Sequence, residues 1–155
     1  MKITMAAVGR LRPGAELDLF SDYQTRFDRT GRALGLGPLE LREVEAKKGG
    51  MTAEAGLLQK AAGEASVKVA LDERGKVMTS PEFAQVLARW RDDGRPSVAF
   101  LIGGADGLAP ALRRDCDQLL SFGKMVWPHM LVRVMLAEQL YRAASILAGS
   151  PYHRV

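Results

Sequence analysis

Ser97-Val98-Ala99-Phe100-Leu101-Ile102-Gly103-Gly104-Ala105-Asp106-Gly107 is the stretch on which the fold turns. After Ser97 it is apolar at every position up to the glycines, so both of its alternating faces are apolar. A short run of this kind reads as a strand covered on both sides, the signature of a parallel sheet sandwiched between helices. Working outward, Lys2 to Val8 has the same character and ends at Gly9, and Val67 to Leu71 is a third such strand, ending at Asp72-Glu73-Arg74-Gly75-Lys76. Leu39 to Val44 alternates apolar and charged residues and reads as a further strand.

Helical spacing fills the gaps between these strands. Leu17, Phe20, Tyr23 or Gln24, and Phe27 recur on one face down to Gly31, with Arg26, Arg29 and Arg32 on the outer face. Thr52 is expected to cap a helix running to about Ala65, with Glu54 in its first turn. Thr79-Ser80-Pro81-Glu82 combines a cap, a proline in the first turn and an acid, and so starts a helix whose apolar face is Phe83, Val86, Leu87 and Trp90. Beyond the glycines the expectation is a helix from about Pro110 to Leu120, a fifth short strand Lys124 to Trp127, and a long final helix from about His129 to Ala148, stopped by Gly149. Strands alternating with helices give an α/β chain, residues 1–155 forming one domain, with a mostly parallel sheet and helices on both faces. Ligands in such folds bind beyond the carboxyl ends of strands, which singles out Leu71-Asp72, Gly103-Gly104 and Phe122 to Trp127.

Composition narrows the function. The 22 basic residues exceed the 18 acids for a net charge of +4, and 15 of the 22 are arginine. Arginine pairs with phosphate through two parallel hydrogen bonds, which suits an RNA partner; a codon bias toward arginine gives the same count. No apolar run has the length of a membrane span and Met1-Lys2-Ile3-Thr4 lacks a signal-peptide pattern, so a cytoplasmic protein is expected. The single cysteine, Cys116, excludes an internal disulfide.

The glycines at 103, 104 and 107 match neither the dinucleotide fingerprint nor the P-loop, and a nucleotide-binding Rossmann protein is disfavoured. Two histidines without cysteine or carboxylate at ligand spacing do not make a metal site. Nor is there a nucleophile elbow. Gly103 and Gly104 let a ligand approach the backbone closely, and Lys124 and Trp127 add charge and a stacking ring, unless Trp127 simply joins the core. His129 opens the final helix, where it can cap, hold a phosphate or bond to backbone. Arg133 stands among Val132, Val134, Met135 and Leu136, and so needs an anion from the protein or a ligand. Glu138 and Arg142 are spaced for a helical ion pair, and Pro151-Tyr152-His153-Arg154 has the composition of an RNA-contacting arm that docks.

Taken together, Leu101-Ile102-Gly103-Gly104, Gly107-Leu108, the run from Pro128-His129 through Leu131, Arg133-Val134, Leu136 and Glu138-Gln139-Leu140-Tyr141-Arg142-Ala143, and Pro151-Tyr152-His153-Arg154 resemble the bacterial ribosomal RNA large subunit methyltransferase H family, small enzymes of the SPOUT class. The similarity spans nearly the whole chain. It implies a homodimer with a C-terminal trefoil knot, transferring a methyl group from S-adenosylmethionine to N3 of a pseudouridine in 23S rRNA of the large ribosomal subunit. It implies a cofactor site at Leu71, Gly103, Gly104 and the loop Phe122-Gly123-Lys124-Met125-Val126-Trp127. For the reaction, His153 or His129 would assist loss of the N3 proton, Arg133, Arg142 and Arg154 would bind phosphates, and Tyr152 would stack on a base, with the tail completing the site across the dimer. The alternatives are the same fold acting on another RNA such as tRNA, and a non-catalytic RNA-binding factor in ribosome assembly.

Overall fold

In the computed structural model, which describes residues 1–154, five strands form one parallel sheet in the order β2-β1-β4-β3-β5. The strands are β1 (Lys2–Val8), β2 (Leu39–Val44), β3 (Val67–Val77), β4 (Ser97–Ile102) and β5 (Gln118–Ser121). The helices are α1 (Ala15–Arg32), α2 (Met51–Ala62), α3 (Ser80–Asp92), α4 (Pro110–Asp115) and α5 (His129–Leu147). The apolar stretch that opened the reading is β4, paired in parallel with β1 on one side and β3 on the other. Its central place explains why it carries no charge.

Each face of the sheet has its own core. Ile3, Met5, Val69, Val98, Phe100 and Ile102 pack toward α1, α3 and α5, whereas Ala6, Ala70, Ala99 and Leu101 pack toward Leu58 of α2 and Leu112 of α4. The alternation follows from the two-residue period of a strand. Arg26, Arg29 and Arg32 are exposed on α1, as their spacing suggested. The helix start expected at Thr79 to Glu82 is observed, and it closes as a reciprocal cap: Thr79 accepts from the Glu82 backbone while the Glu82 carboxylate accepts from that of Thr79.

Four boundaries differ from expectation. Gly50, not Thr52, precedes α2; Thr52 lies inside the first turn and makes no cap. The helix from Pro110 ends at Asp115, because the chain turns extended at Cys116 to enter the sheet. The fifth strand is therefore Gln118–Ser121, and Lys124 to Trp127 is an irregular loop. Leu120 packs into one core and Leu119 against the other, so a strand six residues earlier than expected covers both faces. Finally, β3 does not stop at Leu71. Leu71 and Lys76 both pair with Leu120, so Asp72 to Gly75 bulge out between them and the strand resumes.

Candidate cofactor cavity and the tail on the final helix

The carboxyl ends of β3 and β4 open on a cavity of about 610 Å³. Its wall brings together Leu71, Gly103, Gly104, Phe122, Gly123, Met125, Val126 and Trp127, with His129 at its edge. Of the nine residues assigned to a cofactor, only Lys124 is off the wall; it points to solvent. Asp72, Glu73 and Asp106 also line the cavity; Asp72 lies at a strand end that the sequence had singled out, and Glu73 of the β3 bulge is what the sequence reading missed. A bulge leaves no mark in hydrophobic periodicity; the charged run after Leu71 was the available signal.

The glycine wall is closed by backbone packing. Gly107 donates to the Gly104 carbonyl at 3.0 Å and the two form an isolated bridge. A Cβ on Gly103 would lie 2.6 Å from the carbonyl carbon of Gly107, and one on Gly104 would lie 2.9 Å from the Glu54 carboxylate and 3.1 Å from Val8. These glycines are required by close approach, not by unusual torsion. The opposite wall, Phe122 to Pro128, has no regular structure, and Met125 and Val126 are 75% and 81% exposed. Trp127, at 41% exposed, is not a core residue.

His129 is the first residue of α5 and caps nothing. Burial, and then the charge of Arg133, lower its pKa from the usual histidine range, so it is neutral near pH 7. Arg133 itself is 0% exposed. Its guanidinium donates to the carbonyls of Val8 and Gly9, the latter at 2.7 Å, and to Glu43 at 2.8 Å. The anion it requires is therefore internal, and the expectation that Arg133 binds phosphate is corrected: it clamps the end of β1 to α5. Glu43 also accepts from the Leu11 backbone at 2.6 Å, which ties the chain leaving β1 into the same knot of contacts.

The other assigned residues sit farther along the helix. Arg142 donates to Oε1 of Glu138 through Nε at 2.9 Å and Nη2 at 2.5 Å. The tail folds back on this pair: the Tyr152 hydroxyl donates to the same oxygen at 3.0 Å, and Nη1 of Arg142 lies 3.3 Å from Nδ1 of His153. Tyr152 packs edge-on against Tyr141, and burial, with Tyr23 and Glu138 beside it, raises its pKa. The tail docks, as its composition suggested, but Arg142, Tyr152 and His153 form a cluster apart from the cavity wall. Nine residues at about 1.5 Å each put Glu138 about 14 Å from His129 along the helix.

Among the described residues no group of three histidines, cysteines or carboxylates could hold a metal ion, and no helix is long and apolar enough to cross a membrane.

A family profile described as a predicted SPOUT methyltransferase matches residues 1–153. Proteins named ribosomal RNA large subunit methyltransferase H from Dinoroseobacter shibae and Ruegeria pomeroyi are 67% and 65% identical over 156 residues, covering all of both chains in each case. Among solved structures, a probable methyltransferase from Bordetella pertussis matches with a TM-score of 0.55 at 15% identity, over 92% of this chain and 95% of that one. A probable methylase family protein from Haemophilus influenzae matches with a TM-score of 0.56 at 12% identity, over 99% and 70%. The structural likenesses speak to the fold alone.

Proposed function

The chain belongs to the SPOUT methyltransferase family, among the ribosomal RNA large subunit methyltransferases H, and from that premise we propose that it methylates N3 of a pseudouridine in 23S rRNA with S-adenosylmethionine. The observation that carries this reading is the cavity at the ends of β3 and β4, where the glycine cradle, the Phe122 to Trp127 loop and His129 meet. The fit to the cofactor is physical. Leu71, Ile102 and Leu120 offer apolar walls that would suit an adenine, Gly103 and Gly104 put backbone on the cavity wall in a turn packed too closely for a Cβ, and Glu73 and Asp106 would supply negative charge to a sulfonium or an ammonium.

When bound, the cofactor supplies a methyl group on a positively charged sulfur, which needs only an aligned nucleophile. The protein's part is to hold N3 in line and to let its proton go. His129, neutral and on the cavity wall, is the histidine placed to accept that proton. The exposed Arg154 supplies positive charge for phosphates, whereas Arg142 is held by Glu138.

We infer that the working form is a homodimer, with the family's C-terminal knot in each copy. Two observations support the dimer. Val77, Met125 and Val126 are apolar yet 64% to 81% exposed, more than a monomer leaves uncovered without a use. The docked tail also sits about 14 Å along α5 from the histidine of its own cavity, which suits service to the cavity of a second copy. The test is methyl transfer from labelled S-adenosylmethionine to ribosomes from a strain lacking the protein, followed by mapping of the modified nucleotide. Label on N3 of a large-subunit pseudouridine is expected. Label on another RNA would move the substrate, and cofactor binding without transfer to any RNA would favour the assembly factor.

A further inference from the structure

His153 faces Arg142 through Nδ1, at 3.3 Å from Nη1. A guanidinium only donates. Nδ1 must therefore present its lone pair, and the ring carries its proton on Nε2. A doubly protonated ring would set N–H against N–H and one positive charge against another. Arg142 is not free to turn away, because Glu138 takes two of its donors and its guanidinium lies 4.8 Å over the Tyr152 ring. Glu138 is held in turn: its second oxygen accepts from Gln139 at 3.0 Å, and Gln139 accepts from Ser80 of α3 at 2.7 Å.

At the far end of this chain of contacts, Nε2 of His153 is buried and meets no hydrogen-bond partner among the described residues. A buried N–H without an acceptor is costly, and native proteins seldom keep one without a use. The ring as a whole is only half-buried, and Pro151 and Arg154 near it in the chain are exposed.

We propose that Glu138 and Arg142 are positioning residues that hold His153 as a neutral Nε2–H donor for an acceptor oxygen of the RNA, and that His153 does not accept the substrate proton. The identity of the acceptor rests on the methyl-transfer reading; the tautomer does not. An acceptor oxygen beside the reacting nitrogen gains negative charge as the N3 proton leaves, and a fixed neutral donor stabilises it without any proton changing hands there. With the tail serving the cavity of a second copy, the proton goes to His129 of the partner subunit or to solvent, the methyl carbon bonds to N3 as its bond to sulfur breaks, and His153 ends as it began.

The chain has two histidines, so ring ¹⁵N spectra of the full-length protein are assigned with one variant, His129→Gln. Near neutral pH, Nδ1 of His153 is expected bare and Nε2 protonated, and Arg142→Met should abolish that preference. In the transfer assay, His153→Ala should lose about 100-fold. His153→Gln, whose amide nitrogen reaches the place of Nε2, should recover about tenfold of that, while His153→Asn, which reaches only the place of Nδ1, should not. A fall confined to kcat would place the donor on a base carbonyl, and a rise confined to KM on a phosphate oxygen. A proton on Nδ1, a charged ring, or a Gln variant as inactive as the Ala variant would overturn the proposal. Should the unaltered protein transfer no methyl to RNA, the methyl-transfer reading fails and the spectrum alone decides the tautomer.

Discussion

The two walls of the cavity are built on opposite plans. The Gly103 to Gly107 wall is finished within one chain: it follows a central strand without a break and packs backbone on backbone. The Phe122 to Pro128 wall leaves an edge strand, takes no regular structure and exposes Met125 and Val126. A turn that must approach a ligand closely has to be rigid alone. A wall that a second molecule completes can leave its apolar side chains uncovered until that molecule arrives. Each prediction below breaks or sharpens this contrast.

The largest effect belongs to the seam on which both walls hang. Arg133 ties the start of α5, and with it the second wall, to the end of β1. Arg133→Met keeps much of the volume but leaves Glu43 without its counter-charge and two carbonyls without their donor, at about 3 kcal/mol. For a chain of this size that lowers the melting temperature by about 9 °C. A loss near zero by thermal denaturation would show that the clamp is not needed.

On the finished wall, Gly103→Ala forces a Cβ against immovable backbone and should cost about 100-fold in S-adenosylmethionine affinity, an overpacking penalty near 3 kcal/mol. Gly104→Ala presses mainly on the end of the Glu54 side chain, which can swing, and should cost about fivefold. Equal losses measured by calorimetry would mean that the turn is less rigid than its packing implies. On the unfinished wall, Val126→Asp should leave the melting temperature of the folded chain within about 2 °C, as exposed substitutions do, yet shift a dimer toward monomer by about tenfold or more in sedimentation. A cooperative loss of fold instead would show that the loop belongs to the chain's own core.

The same contrast governs how much was legible in the sequence. Ser97 to Gly104 was readable to the residue because a central strand must be apolar on both faces and a close-approach turn must be glycine. The helix start at Thr79 to Glu82 was readable because capping is local, between side chains and amides a few residues apart. The edge strand was misplaced because Gln118 to Ser121 and Lys124 to Trp127 both flank apolar residues with polar ones, and only pairing with β3 chooses between them. Arg133 was recognised as needing an anion, but Glu43 is ninety residues away in sequence, and no spacing rule reaches that far. The cofactor residues came from family resemblance, and the cavity gathers eight of those nine. The bulge that brings Glu73 to the cavity depends on register, which side-chain pattern does not encode where the bulged residues include no large apolar side chain.

Where the walls meet, His129 makes the contrast measurable by pH. Its pKa is lowered by burial first and Arg133 second. As pH falls, the unfolded chain takes the proton before the folded one does. Stability should therefore be level above about pH 6.5 and decline below it, toward the lowered folded value. If His129 accepts the substrate proton, the rate should hold from pH 7.5 down to about 6.5 and fall only beyond, and His129→Gln should remove that acid limb from the profile. An acid limb that survives the substitution would remove His129 from proton transfer and leave solvent as the acceptor.

The smallest effect expected is a near-absence of reaction at Cys116, on the segment joining α4 to β5 and so joining one wall to the other. Burial, followed by the charge of Asp117, pushes its thiol up to about 11. At pH 8 about one molecule in a thousand carries the thiolate, and only the thiolate attacks an alkylating agent. Modification should run about 100-fold slower than with a free cysteine, and saturating S-adenosylmethionine should slow it further if ligand binding draws the two walls together. A rate close to that of free cysteine would mean that the joining segment opens readily. The rigidity assigned to the glycine wall would then stop at Leu108 and not extend through α4 to the strand that leads into the other wall.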